Sequence, residues 1–381
     1  MITKELEEIK ASGLERRLTV IQGAQGPVVN IAGQQTLLLC SNDYLGLASH
    51  PALKTAAMMA VERYGTGAGA SRLVSGSMEP HHALEERIAR FKGTEAALVF
   101  NSGYQANLGL ITALASREAD IFSDKANHAS IVDGCILSMA KVRRYPTRDI
   151  NALEKLLKRS SARTKLIITD GIFSMDGAIA PIKEIASLLG KYNAMLIVDD
   201  AHATGVLGAS GRGTLEHAGV HDPSVIQMGT FSKALGSFGA YVAGSKQLIE
   251  ILINRARPFI YSTALPPAIC AASIAAIEII EAEPERRERL WQNVSLFKRA
   301  AQNANLDTMN SLTQIIPIIT GDTTMRISKA LLDKGIFIQG IRPPTVPHGT
   351  SRLRVCISAG HDPEALKKAA WVIKETCNEF N

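Results

Sequence analysis

The chain is short of several things, and each shortage closes off a class of function. Its 381 residues include only five cysteines (Cys40, Cys135, Cys270, Cys356 and Cys377), with no CxxC pair among them. That excludes a cysteine-ligated zinc site and a disulfide framework, and no metal site is expected. No charge-free apolar run is long enough to span a bilayer. The first residues, Met1–Glu8, are charged, mixed in sign and without the apolar stretch of a secretory signal. A membrane is therefore not an expected partner, and a cytoplasmic location is the default. Aromatic residues make up only 5% of the chain, and no long Lys/Arg run is interleaved with them. Nucleic acid is excluded as the natural partner on that ground. The net charge of +6 is modest for this length; it suits anionic small ligands steered into a cleft. There is no internal repeat and no low-complexity segment.

What is present is an ordinary globular composition, 46% hydrophobic and 20% charged, on a chain longer than one typical core. Residues 2–18 read as an amphipathic helix. Val28–Ile31 and Thr36–Cys40 read as a hairpin around Ala32-Gly33-Gln34. From about residue 52 to 275, short apolar runs alternate with helical segments. The candidate strands are Ala96–Phe100, Ala119–Ser123, Lys141–Tyr145, Lys165–Thr169, Ala194–Val198, Ser224–Met228 and Gly239–Ala243. The alternation predicts an α/β fold with one mainly parallel seven-stranded sheet flanked by helices. Helices over 268–283 and 285–303 follow, then a smaller α+β lobe with strands at 315–319, 336–338 and 352–358. The expected division is 1–48 (helix and hairpin), 49–275 (large domain) and 276–381 (small domain).

Two motifs carry most of the chemistry. Asp199-Asp200-Ala201-His202 and Gly229-Thr230-Phe231-Ser232-Lys233 each follow a buried strand. The carboxyl ends of parallel strands are where open α/β sheets bind ligands. An acid, a histidine and a lysine with Thr and Ser hydroxyls beside it suit pyridoxal phosphate (PLP): the lysine forms a Schiff base, the acid keeps the pyridine nitrogen protonated, and the hydroxyls hold the phosphate. Asp199 is the acid candidate, His202 reaches the ring hydroxyl, and Asp200 reads as structural. Lys233 needs a lowered pKa to attack as a neutral amine and then to serve as a base. Asn101–Asn107 follows a strand and opens a helix, whose N-terminus with Gly103 and Tyr104 offers an anion site. His128 begins another helix, where a flat imidazole can stack on a ring or shuttle a proton. Ser174 can bond a ring substituent, and Asp176-Gly177 is a turn signal. Gly65–Arg72 mimics a dinucleotide fingerprint, but a helix end precedes it in place of a strand, which rejects NAD. That segment reads as a flexible loop lining a substrate site. Arg342-Pro343-Pro344-Thr345 and Arg352-Leu353-Arg354 offer arginines for a carboxylate. Arg354 falls on a predicted apolar strand.

On these segments, together with Ser41–Leu47, the Gly65–Gly76 loop and Tyr261–Pro267, the chain resembles the α-oxoamine synthase family of fold-type I PLP enzymes, almost from end to end. The resemblance implies that Lys233 carries PLP, Asp199 pairs the pyridine nitrogen and His128 stacks on the ring. It implies His202 and Ser174 near the ring hydroxyl, and Gly103, Tyr104 and Thr230 at the phosphate, with Ser262 or Thr263 supplied by a second subunit. Arg354 takes the amino-acid carboxylate, with Thr345 and Arg342 at the substrate site. An N-terminal arginine contacts the acyl group: Arg16, in a register left ambiguous by Arg17. An obligate homodimer with its site at the interface follows. Within the family the resemblance is strongest to members that condense L-alanine with pimeloyl-CoA or a pimeloyl-carrier protein. The open alternatives are glycine or serine with another acyl-CoA, and a non-catalytic PLP-binding protein.

Overall fold

The computed structural model describes residues 1–380. Three sheets organise them. The largest has seven strands: β3 (Ala96–Phe100), β4 (Ala119–Asp124), β5 (Lys141–Tyr145), β6 (Thr164–Asp170), β7 (Met195–Asp199), β8 (Val225–Thr230) and β9 (Ala240–Gly244). Their spatial order is β3-β9-β8-β7-β6-β4-β5. β9 runs antiparallel to both neighbours and the remaining pairs are parallel. The mainly parallel seven-stranded sheet predicted from sequence is thus present. The central strands are continuous apolar runs because helices cover both of their faces. Leu166, Ile167, Ile168, Leu196, Ile197 and Val198 are fully buried.

Two three-stranded sheets flank it. The hairpin β1 (Val28–Ile31) and β2 (Gln34–Leu38) turns at Ala32-Gly33, where the Gly33 N–H donates to Asn30 Oδ1 at 2.9 Å. Gly33 has φ +88°, the left-handed region that its missing Cβ permits. β11 (Ile336–Phe337) pairs in parallel with β2. The other small sheet has the order β10-β13-β12, from Ile315–Ile319, Arg352–Cys356 and Gln339–Ile341. One apolar cluster runs through Tyr44, Leu84, Phe231, Ile277, Phe297, Ile316 and Leu353, so the amino-terminal segment and the last hundred residues share a core with one face of the large sheet.

The first helix departs from expectation. α1 covers only Ile2–Ala11, and none of its residues is buried. Gly13 at φ +65° ends it, and the apolar residues beyond have no surface to pack on that would carry a helix on to residue 18. The other helices that matter to the site are α2 (Pro51–Tyr64), α3 (Glu79–Lys92), α4 (Gly103–Leu114) and α5 (Ala129–Ser138). α2 stands directly before the Gly65 loop, so that glycine run does follow a helix. No helix among the described residues is long and apolar enough to cross a membrane.

Candidate active site

Strands β6, β7 and β8 end on polar residues. Asp170, Asp199 and Thr230 are each the last residue of their strand, and Asp170 lies in register with Asp199. A cavity of about 230 Å³ opens at this carboxyl edge. Its walls bring together Gly103, Tyr104, His128, Ser174, Asp199, His202, Thr230 and Lys233, residues far apart in the sequence. Asn107, Ser130 and Asp170 stand among them.

Each side chain is held by a nameable contact. Asp199 Oδ1 accepts the Ala201 N–H at 2.9 Å, and Oδ2 accepts from Asn107 Nδ2 at 2.8 Å. The second Asn107 amide hydrogen goes to Ser130 Oγ at 2.9 Å. Ser130 Oγ therefore has its own proton to give, and it donates to His128 Nδ1 at 2.8 Å, where the Ser130 N–H also converges at 3.3 Å. Neutral His128 is thus fixed with its proton on Nε2. Asp170 Oδ2 accepts the His128 backbone N–H at 3.0 Å. Lys233 Nζ meets His202 Nε2 at 2.8 Å.

Burial sets the charges. It pulls the Lys233 ammonium down to about 8, against the opposing pull of Asp199. It drives His202 well below the ordinary imidazole value, with the positive charges of Lys233 and Arg354 adding to the effect. His128 is lowered by burial as well. Asp170 is raised well above the carboxylate range by burial and then by the negative charge of Asp199. Two carboxyls side by side in a dry wall cannot both ionise cheaply. Burial and the neighbouring Asp199 together favour the neutral form of Asp170.

The cavity end at α4 is built for an anion. Ser102 caps the helix, its Oγ accepting the Gln105 N–H at 3.2 Å and its carbonyl the Ala106 N–H at 2.9 Å. The Gly103 and Tyr104 N–H groups are left without an acceptor among the described residues. A Cβ on Gly103 would stand 3.1 Å from Met228 Cε in the cavity floor, so glycine keeps that approach open. The two hydroxyls expected to hold the anion are otherwise engaged. Thr230 Oγ1 and Ser232 Oγ both donate to the Gly239 carbonyl, at 2.7 and 3.2 Å. The backbone amides of α4 are the unspent donors here.

The structure does not bring the remaining candidates into this cavity. Ser262 and Thr263 line a separate crevice with Arg72, His81 and Asn101, and the Gly65–Gly76 loop is tied to them through the Ser71–Thr263 bridge and the Ala264 N–H on the Ala70 carbonyl. Arg16 is exposed in the segment after α1. Arg342 donates to the Glu15 carbonyl at 3.1 Å, and Thr345 sits in the turn that follows it. Arg354 is buried on β13 behind the cavity wall, where its Nε donates to the Ser174 carbonyl at 2.6 Å and Nη1 to Asn42 Oδ1 at 3.1 Å. Asp200 points away from the cavity into a buried ion pair with Lys92 at 2.9 Å. Asp176 pairs with Arg352. Sequence reasoning passed over Asn107, Ser130, Asp170, Asn42 and Tyr44 as actors. Asp170 was findable, since it ends a buried strand just as Asp199 does. Asn107 was not, because its partner lies 92 residues away.

This fold and site define a fold-type I PLP enzyme: the chain belongs to the aminotransferase class I and II family, whose pattern it matches over residues 34–373. Among curated relatives it is 57% identical over 377 residues to 8-amino-7-oxononanoate synthase of Citrifermentans bemidjiense, covering 98% of this chain and 97% of that one. It is 56% identical to 8-amino-7-oxononanoate synthase of Geobacter sulfurreducens over 97% of this chain and 95% of that one. Among solved structures it matches Sphingomonas wittichii serine palmitoyltransferase with a TM-score of 0.93 at 32% identity, over 99% of this chain and 96% of that one. It matches 8-amino-7-oxononanoate synthase from Francisella tularensis with a TM-score of 0.78 at 30% identity, over 91% and 99% of the two chains.

Proposed function

We propose that this chain condenses L-alanine with a pimeloyl thioester, carried on CoA or on a carrier protein, and releases 8-amino-7-oxononanoate, carbon dioxide and the free thiol. It does so as a homodimer in the cytoplasm, with the parts 1–48, 49–275 and 276–381 as its working units. The observation that carries the reading is near-full-length identity above half to relatives of that one name. It is joined to a cavity in which a lysine, an acid and two histidines converge.

The residues present fit PLP. An anion site at the start of α4, a carboxylate fixed by two donors and a buried lysine share one cavity. The buried Asn107 Oδ1 in its wall has no partner. When bound, PLP supplies an electron sink for the pair left at the amino acid's α-carbon. The chain does the rest. With its pKa near 8 rather than 10.5, Lys233 is roughly one-tenth neutral at pH 7, against about one part in three thousand unshifted. That makes it a nucleophile and, once freed, a base for the α-proton. Asp199, locked by Asn107 and Ala201, would hold a pyridine N–H. His128 presents Nε2–H towards the cavity for ring contact and proton transfer. His202 and Ser174 would hold the ring hydroxyl. Arg354 receives the carboxylate, Thr345, Arg342 and Arg16 attend the acyl substrate, and Ser262 or Thr263 reaches the phosphate of the partner's site.

The superposition on serine palmitoyltransferase makes serine with a long acyl chain the competing pair. The test is turnover of PLP-loaded protein with L-alanine, glycine or L-serine, each against pimeloyl-, acetyl- and palmitoyl-CoA. Carbon dioxide and thiol released together from alanine and pimeloyl-CoA alone support the reading. Preference for serine with palmitoyl-CoA, or PLP binding without turnover of any pair, overturns it.

A further inference from the structure

Tyr44 is fully buried, lies in the loop after β2 and has no part in the reaction as described, yet it touches the lysine's partner. Its hydroxyl lies 2.7 Å from His202 Nδ1 and 3.0 Å from Asn42 Oδ1. With the Lys233–His202 contact at 2.8 Å and the Arg354–Asn42 contact at 3.1 Å, a continuous chain runs from Arg354 through Asn42, Tyr44 and His202 to Lys233.

The direction of this chain can be worked out from its far end. A guanidinium has donors only, so the Asn42 atom facing Arg354 is the oxygen. An oxygen can only accept from Tyr44, so the phenol proton is spent there. Tyr44 Oη must then accept from His202, which places the imidazole proton on Nδ1. His202 Nε2 is left as a lone pair, and it faces Lys233.

We propose that Tyr44 is a positioning residue for Lys233: it transmits the polarity set by Arg354 and Asn42 and holds His202 in the Nδ1–H tautomer, as an acceptor towards the lysine. An acceptor at 2.8 Å favours the ammonium over the amine. The chain therefore restrains the release of the Lys233 proton while Asn42 stays bound to Arg354. A carboxylate arriving at Arg354 competes with Asn42 for the guanidinium, and releasing Asn42 lifts the constraint that fixes the phenol proton and with it the Nδ1–H tautomer. This deepens the proposed role of Lys233 as a base and rests on it for the last step only. The tautomer itself belongs to the cofactor-free chain.

The neighbouring groups leave this readable. His202 faces Lys233, Arg354, His128 and Tyr44, and Lys233 faces Asp199, Asp170, Arg354 and Cys356. Burial raises the Tyr44 phenol, the Cys356 thiol and the Asp170 carboxyl, while both histidines are lowered. Lys233 is thus the group that titrates near 8.

The experiment uses cofactor-free protein labelled with ring-¹⁵N histidine, with His202 assigned by difference from His202→Gln. Wild type is expected to show His202 as Nδ1–H. Tyr44→Phe and, separately, Asn42→Ala are expected to move it towards Nε2–H, the second with the Tyr44 ring intact should the first fold poorly. Competitive acetylation of Lys233, read by mass spectrometry, is expected to rise about threefold at pH 7 in both variants, a half-unit fall in the lysine's midpoint. An Nε2–H tautomer in wild type, or an Nδ1–H tautomer and acetylation unchanged in both folded variants, overturns the proposal. Neither readout involves substrate, so failure of the alanine and pimeloyl reading leaves this test intact.

Discussion

At the scale of single residues, the site is governed by which groups are kept uncharged. Lys233, near 8, has its amine fraction rising tenfold per pH unit below that value and levelling above it. The rate at which cofactor-free protein captures PLP, followed by absorbance, is expected to follow that curve and to vanish in Lys233→Ala. Asp170 and Asp199 look alike in sequence but have different partners: Asp170 accepts the His128 N–H, Asp199 the Asn107 amide and the Ala201 N–H. Asp199→Asn removes the acid proposed for the pyridine nitrogen and is expected to cost about 10²-fold or more in turnover. Asp170→Asn replaces a neutral acid with a neutral amide that can still accept the His128 N–H, and turnover is expected to stay within about threefold. Stability gives the sharper test. An acid whose folded pKa is raised contributes stability below its unfolded value near 3.9 and loses it as pH climbs towards the folded value. The melting temperature of Asp170→Asn minus that of wild type is therefore expected to be smallest at pH 4. It should widen by about 1–2 °C per pH unit above that. A difference that stays flat from pH 4 to 8 would show that Asp170 is ionised in the folded chain.

At the scale of elements, most strands of the large sheet are legible as short apolar runs bounded by turn signals, whereas β5 is cationic and mostly exposed. They were read slightly short. Lys165–Thr169 ended at its last uncharged residue, and Ser224–Met228 at its last large apolar one. The ladder continues to Asp170 and Thr230, and Ala194–Val198 likewise extends to Asp199. Those terminal polar residues line the cavity, so the understated boundary and the candidate site residue are one feature. What local pattern could not show is pairing at a distance. β11 finds β2 across some three hundred residues, and Asn107 on α4 reaches Asp199 on β7. The same non-local logic fixes α3 to the strand end. Lys92, its last residue, places its ammonium against Asp200 at 2.9 Å with both side chains fully buried, and its amine also reaches the Arg212 carbonyl. Lys92→Met leaves the Asp200 carboxylate dry and without its cation. A loss of about 3–5 kcal/mol is expected, read as a lower unfolding midpoint. Adding Asp200→Asn should restore part of it, whereas an equal midpoint for Lys92→Met and wild type would mean that the pair contributes nothing.

For the whole molecule, the side-chain donors proposed for the phosphate are not free in one chain, which leaves the backbone amides at the start of α4. Ser262 and Thr263 stand in their own crevice, and both cavity hydroxyls, Thr230 and Ser232, are spent on Gly239. A surface beside the cavity carries exposed apolar side chains. α5 is capped by His128 in the cavity wall and ends with Ile136 and Leu137 exposed to solvent, as is Met139 just beyond it. Its Asp133 accepts from the half-exposed Tyr104 at the cavity rim. Large apolar side chains in sequence on one helix end, adjoining a polar rim, are the signature of an interaction surface. If the active site is completed across this surface, breaking the dimer costs the cofactor along with the partner. Sedimentation of the wild type is expected to give twice the chain mass of 40.9 kDa. Ile136→Lys with Leu137→Lys is expected to sediment as a single chain, with unchanged helix content and weakened PLP binding and turnover. Exposed positions should tolerate lysine in an isolated chain, so retained folding separates loss of partner from loss of structure. A wild-type chain that sediments singly while turning over, or a monomeric variant with full PLP affinity, would show that one chain holds a complete site. The donors at the start of α4 would then be sufficient by themselves.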